Sequence, residues 1–383
     1  MVVKPKVRGF ICTTAHPKGC MAYVKKQINY IKSKQKFNCP KKVLVIGCST
    51  GYGLASRIAC AFGGDASTIG VMFEHPCSGK RTATAGWYNT AAFEKFAQKQ
   101  GLYAKTINGD AFSSDVKQQT IDIIKSDLDK VDMVIYSLAA PRRTMSDGTT
   151  VSSVLKTVGK QYTNKTIDLK DNTVSEITIH SATPQEIEDT IKVMGGEDWK
   201  DWISALKNAN AIEDDAITVA YSYIGPELTF PIYAEGTIGM AKKHLLQTSN
   251  EITKEFDNIK AYVSVNKALV TQSSAAIPIV PLYITILYKV MKEKSLHEGC
   301  IEQMYRLFGK NLALKPNLDA KGRIRLDDYE LRPDVQEKVT LAWNKIKSDN
   351  VNEFADIKGY WNEFYEMFGF GLPNVDYNED VEI

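Results

Sequence analysis

Tyr233 and Lys242, in the stretch "PIYAEGTIGMAKKHL", lie nine residues apart with Gly236 and Gly239 between them. A tyrosine hydroxyl, with an ordinary pKa of about 10, is a poor acid at neutral pH but a good hydrogen-bond donor to a developing oxyanion. A neighbouring lysine lowers that pKa and can hold the ribose hydroxyls of a nicotinamide nucleotide, so the pair suits hydride chemistry. Nine residues of unbroken helix turn through about 900°, which puts the two side chains on opposite faces. Gly236 and Gly239 disfavour regular helix and permit a late start. The spacing therefore predicts that Tyr233 precedes the helix and Lys242 lies within it, both facing one cleft. Taken by itself, the spacing also admits a chance pair.

Two further groups of residues carry chemistry. In "ITVAYSYIG", period-2 alternation puts Val219, Tyr221 and Tyr223 on one face of a strand, with Tyr223 near the C-terminal end, the rim at which doubly wound folds bind ligands. Core packing with satisfied hydroxyls is the other reading of Tyr221 and Tyr223. The run "GCSTGYG" places Gly47, Gly51 and Gly53 between a β-branched stretch and a helical one. Glycines there let the backbone approach a pyrophosphate, and the helix N-terminus offers unpaired N–H donors. Glu74 follows Gly53 by 21 residues, at the end of a second strand, where an acid binds the adenosine ribose hydroxyls. A carboxylate there repels a 2′-phosphate, so the expected cofactor is NADH rather than NADPH.

The elements that must position these residues read as strands alternating with helices. Strands are expected in "KKVLVIG", "STIGVMFE", "LYAKTINGD", "VDMVIYSLAAP", "ITVAYSYIG" and "IKAYVSVNKALVT". That rhythm predicts an α/β fold with a doubly wound parallel sheet covered on both faces. Residues 145–215 interrupt it with a hairpin turning at Lys170-Asp171-Asn172, a helix capped by Thr183, Pro184 and Glu186, and a helix with Trp199, Trp202, Ile203 and Leu206 on one stripe. With no linker in sight, residues 1–383 read as a single decorated domain. Its nucleotide-binding core is expected at about 40–145 and 215–290, followed by a mostly helical region at 290–383.

Composition narrows the partners. Forty-eight basic and 45 acidic residues leave a net charge of +3 with no polybasic tract, which argues against nucleic acid. The apolar run "AAIPIVPLYITILY" contains Pro278 and Pro281 and falls short of the roughly 20 residues of a membrane span. No signal peptide is read at the N-terminus. Seven cysteines without a C-x-x-C and five isolated histidines point to a reducing compartment, the cytoplasm, and to no metal site.

With these residues in view, the chain resembles over its full length the trans-2-enoyl-CoA reductases and the related long enoyl-acyl-carrier-protein reductases marked by Tyr-x8-Lys. The resemblance rests on "GCSTGYGLASRI", "GWYN", "YSLAAPRR", "VMGGEDW", "AYSYIGPE", "GTIGMAKKHL", "VSVNKALVT" and "KVMKEKSLHEGCIEQ". It implies a short-chain-reductase-like Rossmann core with extra terminal elements and a lengthened substrate region, acting as a monomer with NADH on enoyl thioesters of CoA or acyl-carrier protein. CoA is favoured, and chain length and pathway stay open. By resemblance the phosphate loop is Gly47, Cys48, Ser49, Thr50, Gly51 and Tyr52, and the ribose is met by Phe73 and Glu74. Asp110 and Ala111 flank the adenine, Leu138 and Ala139 lie beside the cofactor, and Leu269, Val270 and Thr271 hold its carboxamide. Tyr233 becomes the proton donor, Lys242 the cofactor-binding lysine and Tyr223 a substrate contact. Val280, Ile284 and Tyr288, four apart in the place of the family's substrate-covering helix, either line the acyl tail or pack on the core.

Overall fold

The segment "KVLVI" forms β1 (Lys42–Ile46), and its alternation divides the molecule. Val43 and Val45 point into one buried cluster, Leu44 and Ile46 into another. A strand buried on both faces belongs at the centre of a sheet. In the computed structural model, which describes residues 1–9, 11–312 and 316–383, β1 is flanked by β2 (Ser67–Met72) and β4 (Val131–Tyr136). With β3 (Ala104–Asn108), β5 (Ile212–Ser222), β6 (Lys260–Val265) and β7 (Arg323–Arg325) they make a parallel sheet in the order 7-6-5-4-1-2-3. The order reverses between β1 and β4, which opens a crevice at their C-terminal ends. This is a Rossmann-like doubly wound sheet.

Helices cover both faces. α1 (Pro17–Lys32), α2 (Gly51–Gly64) and α3 (Ala85–Gln98) pack on the Val43/Val45 side. α4 (Ser114–Asp127), α6 (Glu197–Asn208) and α7 (Thr237–Glu255) pack on the Leu44/Ile46 side. The stripe on α6 is core: Trp199 and Trp202 are fully buried and donate their indole N–H groups to Thr218 Oγ1 at 2.7 Å and the Ala111 carbonyl at 3.1 Å. A third apolar cluster contains α8 (Val280–Glu293), α10 (Pro333–Lys345) and α11 (Ile357–Met367), and Tyr223 and Tyr233 pack against it.

Several local expectations appear as helix caps and turns. Thr183 and Glu186 form a capping box on α5 (Pro184–Met194), and Tyr162–Asp168 pairs with Thr173–Ile179 across a turn in which Asn172 has φ +62°. β7 was not foreseen. Three residues, Arg-Ile-Arg, are too short to show a period, and the surrounding chain reads as helical. A further small hairpin, Arg142–Thr144 with Thr150–Ser152, and an N-terminal pairing of Val7–Arg8 with Ile11–Cys12 were also outside the sequence reading. β5 begins at Ile212, five residues earlier than its hydrophobic run, and ends at Ser222, so Tyr223 stands just beyond the strand. The proline-punctuated apolar run enters α8 at Val280, so most of it is helix, and no helix of the described residues is long and apolar enough to cross a membrane.

Candidate active site

Two of the three glycines of the β1–α2 turn, Gly47 and Gly53, have no room for a side chain, and Gly51 has a positive φ of +53° in open space. Gly47 has φ +84°, and a Cβ on it would lie 2.5 Å from the Ser137 carbonyl oxygen, where β4 ends. A Cβ on Gly53 would lie 1.9 Å from the Gly47 carbonyl oxygen, so this residue lets α2 press against the turn. The turn is braced from below. Arg57 on α2 is fully buried, stacks its guanidinium 4.4 Å from the Phe93 ring centroid, and donates to Thr68 Oγ1 (3.1 Å), Thr106 Oγ1 (2.7 Å) and the Lys105 carbonyl (2.8 Å). Cys48 of the turn sits against the same guanidinium, and burial pushes its thiol pKa up.

Glu74 lies two residues past β2 and accepts a hydrogen bond from Ser49 Oγ at 2.6 Å, tying the strand end to the phosphate loop. Its backbone is paired to the Asn108 side chain through both N–H and C=O. Phe73 beside it is 70% exposed, an uncovered aromatic at a rim where a base or ribose would lie. Asp110 turns its own chain by accepting from Phe112 N–H at 3.0 Å, and Ala111 is buried. Leu138 is half-buried and Ala139 exposed, both just past β4. A cavity of about 350 Å³ opens at this rim, with Glu74, Arg81, Thr84 and Gln272 on its wall.

Tyr233 and Lys242 are separated by a helix start. Gly236 caps α7, Tyr233 lies in the preceding turn, and Lys242 is in the second turn of the helix. Both glycines are sterically required. A Cβ on Gly239 would meet the Tyr233 carbonyl oxygen at 2.3 Å, and one on Gly236 would meet the Ile232 carbonyl oxygen at 2.5 Å. The two side chains converge on the end of β5. Lys242 Nζ donates to the Tyr221 carbonyl at 3.0 Å, and the Tyr233 ring meets Tyr223 edge-on, with centroids 4.6 Å apart. Burial pushes the Lys242 pKa down to about 8 and the Tyr233 pKa up. Tyr221 itself is half-buried and packs against the Val43/Val45 cluster, its hydroxyl 2.5 Å from Ser56 Oγ.

The segment after β6 completes the rim. Leu269 and Val270 are buried and Thr271 is half-buried; Val270 N–H donates to Tyr288 Oη at 2.9 Å. Tyr288 in turn donates to Glu363 at 2.6 Å, so its hydroxyl is fully used. Val280, Ile284 and Tyr288 are all buried within the third apolar cluster.

The sequence reading missed a group of ionisable residues behind this wall. Glu330, 0% exposed, accepts from Tyr223, Tyr283 and Ala268 N–H, and Lys267 buries its ammonium beside the same segment. The polar pair Asn266-Lys267 inside the otherwise apolar "VSVNKALVT" was a visible signal; Glu330 in "LDDYELRP" offered none. Two buried side-chain atoms near the rim lack a hydrogen-bond partner among the described residues, Asn89 Oδ1 beside the phosphate loop and Asn266 Nδ2 at the end of β6. A turn closed to a Cβ at Gly47 and Gly53, a strand-end carboxylate and these spare polar atoms fit a dinucleotide. No group of metal-ligating side chains occurs among the described residues.

Comparison with known proteins agrees with this geometry. Residues 2–79 match the family model described as the NAD(P)H binding domain of trans-2-enoyl-CoA reductase, and residues 81–313 the trans-2-enoyl-CoA reductase catalytic region. Residues 318–381 match one described as an enoyl reductase FAD binding domain. The trans-2-enoyl-CoA reductase [NADH] of Ruminiclostridium cellulolyticum is 58% identical, over 100% of this chain and 98% of that protein. The enoyl-[acyl-carrier-protein] reductase [NADH] of Flavobacterium johnsoniae is 56% identical over the same shares. Among solved structures, Clostridium acetobutulicum trans-2-enoyl-CoA reductase in complex with NADH superposes with a TM-score of 0.97 at 46% identity, covering 100% of this chain and 98% of that one. The Treponema denticola enzyme in complex with NAD gives 0.96 at 47%, with the same coverage. The chain belongs to the trans-2-enoyl-CoA reductase family.

The flavin named for the C-terminal segment finds no matching cradle there. Between 318 and 381 the described residues hold no glycine turn joining a strand to a helix. The apolar faces of α10 and α11 are buried, with Val335, Val339, Tyr360 and Phe364 packed in the cluster that contains α8.

Proposed function

We propose that this chain, as a member of that family, uses NADH to reduce the trans-2 double bond of enoyl thioesters, with trans-2-enoyl-CoA as the substrate. The observation that carries the reading is the convergence of Tyr233 and Lys242 at the end of β5, from two sides of a helix start. When bound, NADH supplies a hydride to the substrate's β-carbon. Gly47–Tyr52 would cradle its diphosphate and Glu74 its adenosine ribose, with Phe73, Asp110 and Ala111 around the base. Leu138, Ala139, Leu269, Val270 and Thr271 would lie along its nicotinamide half, and Lys242 would hold the nicotinamide ribose. The Tyr233 hydroxyl, neutral at working pH because burial raises its pKa, donates a hydrogen bond to the thioester oxygen as charge gathers there. Protonation at the α-carbon then completes the saturated acyl thioester.

Val280 and Ile284 approach the acyl tail in this reading, while Tyr288 supports the loop at Val270. The seven cysteines are all free thiols, which supports a reducing, cytoplasmic setting. Among the described residues, large exposed apolar side chains are few, with Ile11, Phe73 and Leu341 among them, which supports a monomer.

The test is NADH oxidation by the purified protein with crotonyl-CoA, run beside crotonyl-acyl-carrier protein at equal concentration. Faster turnover with crotonyl-CoA is expected. A clear preference for the carrier-protein thioester would move the enzyme to the second reading, which the similarity to the Flavobacterium protein favours. A second expectation concerns pH. With Lys242 needed as a cation and its pKa near 8 in the free chain, kcat/KM falls as pH rises through about 8. Lys242→Arg, whose guanidinium stays charged, should move that limb upward whatever it does to the rate. A limb at the same pH in both proteins would assign it to another group.

A further inference from the structure

We propose that Glu330 is a positioning residue of this active site: its carboxylate accepts the hydroxyl hydrogen of Tyr223, so that Tyr223 faces the cleft only as an acceptor and Tyr233 is left as the sole tyrosine donor. The inference rests on the reductase reading above and assigns a role to a residue 107 positions away in the chain from the tyrosine it holds.

The hydrogen-bond inventory around Glu330 leaves little freedom. Oε2 accepts the backbone N–H of Ala268 at 2.7 Å, a group that can only donate. Oε1 accepts from Tyr283 Oη at 2.7 Å and Tyr223 Oη at 2.8 Å. Tyr283 Oη also takes a hydrogen from Gln336 Nε2 at 3.1 Å, which favours its own hydrogen pointing at Glu330, and the same Gln336 nitrogen donates to the Glu330 carbonyl at 2.7 Å. Three donors therefore converge on one carboxyl group, the arrangement of an ionised acceptor. A countercharge is at hand in Lys267, buried one residue before Ala268, with its Nζ 2.9 Å from the Ala268 carbonyl. Burial pushes the Glu330 pKa up and that of Lys267 down, and the Lys267 charge and the three donors offset part of the rise at Glu330.

Two parts of the site are thereby clamped together. Tyr223 stands just beyond β5, and Ala268 opens the segment after β6 that runs on to Thr271. The Tyr223 ring, held by its hydroxyl, is the edge partner of Tyr233 at 4.6 Å and so sets where the donor ring sits. With its own hydrogen pointed at Glu330, Tyr223 has only lone pairs to offer a ligand in the cleft. No hydrogen bond of this network uses the Tyr233 hydroxyl among the described residues, which leaves that group free to meet the thioester oxygen. Glu330 also lies in the segment matched to the FAD-binding description, and on this account the segment contributes a carboxylate to the reductase site.

A double-mutant cycle tests the proposal. The backbone N–H of Ala268 cannot rotate, so Glu330→Gln keeps its one acceptor oxygen there and presents its NH2 group to Tyr223 and Tyr283, whose hydroxyl hydrogens must turn away. Glu330→Gln is expected to lower kcat about tenfold, by the loss of one charge-assisted bond, with KM for NADH unmoved. Tyr223→Phe should do about the same, and the double variant should lose no more than either alone. Effects on kcat that multiply, or a Glu330→Gln kcat equal to the parent's, would overturn the assignment. If Glu330→Gln does not fold, Tyr283→Phe serves instead: it removes the other hydroxyl from Oε1 and keeps the Tyr223 bond, so its kcat loss should be several-fold smaller than that of Tyr223→Phe. An equal loss would overturn the assignment too. The parent protein's oxidation of NADH with crotonyl-CoA is the reference; a parent inactive on every enoyl thioester would refute the reductase reading and this inference with it, whereas an active parent with multiplying effects would refute the inference alone.

Discussion

Tyr233→Phe is expected to lower kcat with crotonyl-CoA by ~10²–10³-fold while NADH binds with unchanged affinity. The substitution removes one oxygen and keeps the ring, so the edge-on packing against Tyr223 and the turn ahead of α7 persist. On the proposed mechanism, what is lost is the neutral donor to the oxygen that gathers charge when the β-carbon is reduced. Its partner explains why the loss falls on kcat. Lys242 is fixed at the Tyr221 carbonyl independently of Tyr233, so the ribose contact proposed for it should survive. Steady-state rates together with NADH fluorescence titration separate the two effects. A kcat within threefold of the parent would remove Tyr233 as the donor, and a parallel loss of NADH affinity would make it a binding residue instead.

Arg57→Met should cost about 3 kcal/mol of stability, the largest loss expected from any single change near the phosphate loop. The guanidinium serves two threonine hydroxyls and the Lys105 carbonyl at once, all at or below 3.1 Å. Methionine fills part of the volume over Phe93 and answers none of these groups, and each buried acceptor left without a donor costs roughly 1–3 kcal/mol. Some of the loss is offset, because a cation no longer has to be held away from water; burial already presses the Arg57 pKa down. Arg57→Lys should recover less than half of the loss, since a single ammonium cannot reach acceptors on two strands. Urea unfolding reads the effect as a lower midpoint at unchanged slope. An unshifted midpoint would show that the buried guanidinium contributes no net stability. The same variant should weaken NADH binding, because Cys48 of the phosphate loop rests on that guanidinium.

Both predictions concern residues that the chain presents differently to a reader of sequence alone. Tyr233 was legible, since the nine-residue interval is incompatible with one helix and the glycines between supply the alternative. Arg57 was not. It lies inside "GLASRIACAFGG", where an arginine on a helix is ordinarily a solvated charge, and only the meeting of α2 with β2 and β3 shows it fully buried.

Local sequence was enough for a parallel sheet covered on both faces, the glycine turn after β1, the α5 cap, the buried tryptophan stripe and the late start of α7. Each is written within a dozen or so neighbouring residues, by a hydrophobic period, a glycine demanded by a close approach, or a cap. Long-range contacts were needed to show that β7 joins β6, that the Tyr221 hydroxyl turns to Ser56 while that of Tyr223 turns to Glu330, and that Lys267 and Gln336 stand beside that carboxylate. Those contacts join residues tens of positions apart, and a carboxylate such as Glu330 carries no local period to announce its burial. Its place follows from three donors on separate elements arriving at one point, which no stretch of the chain contains.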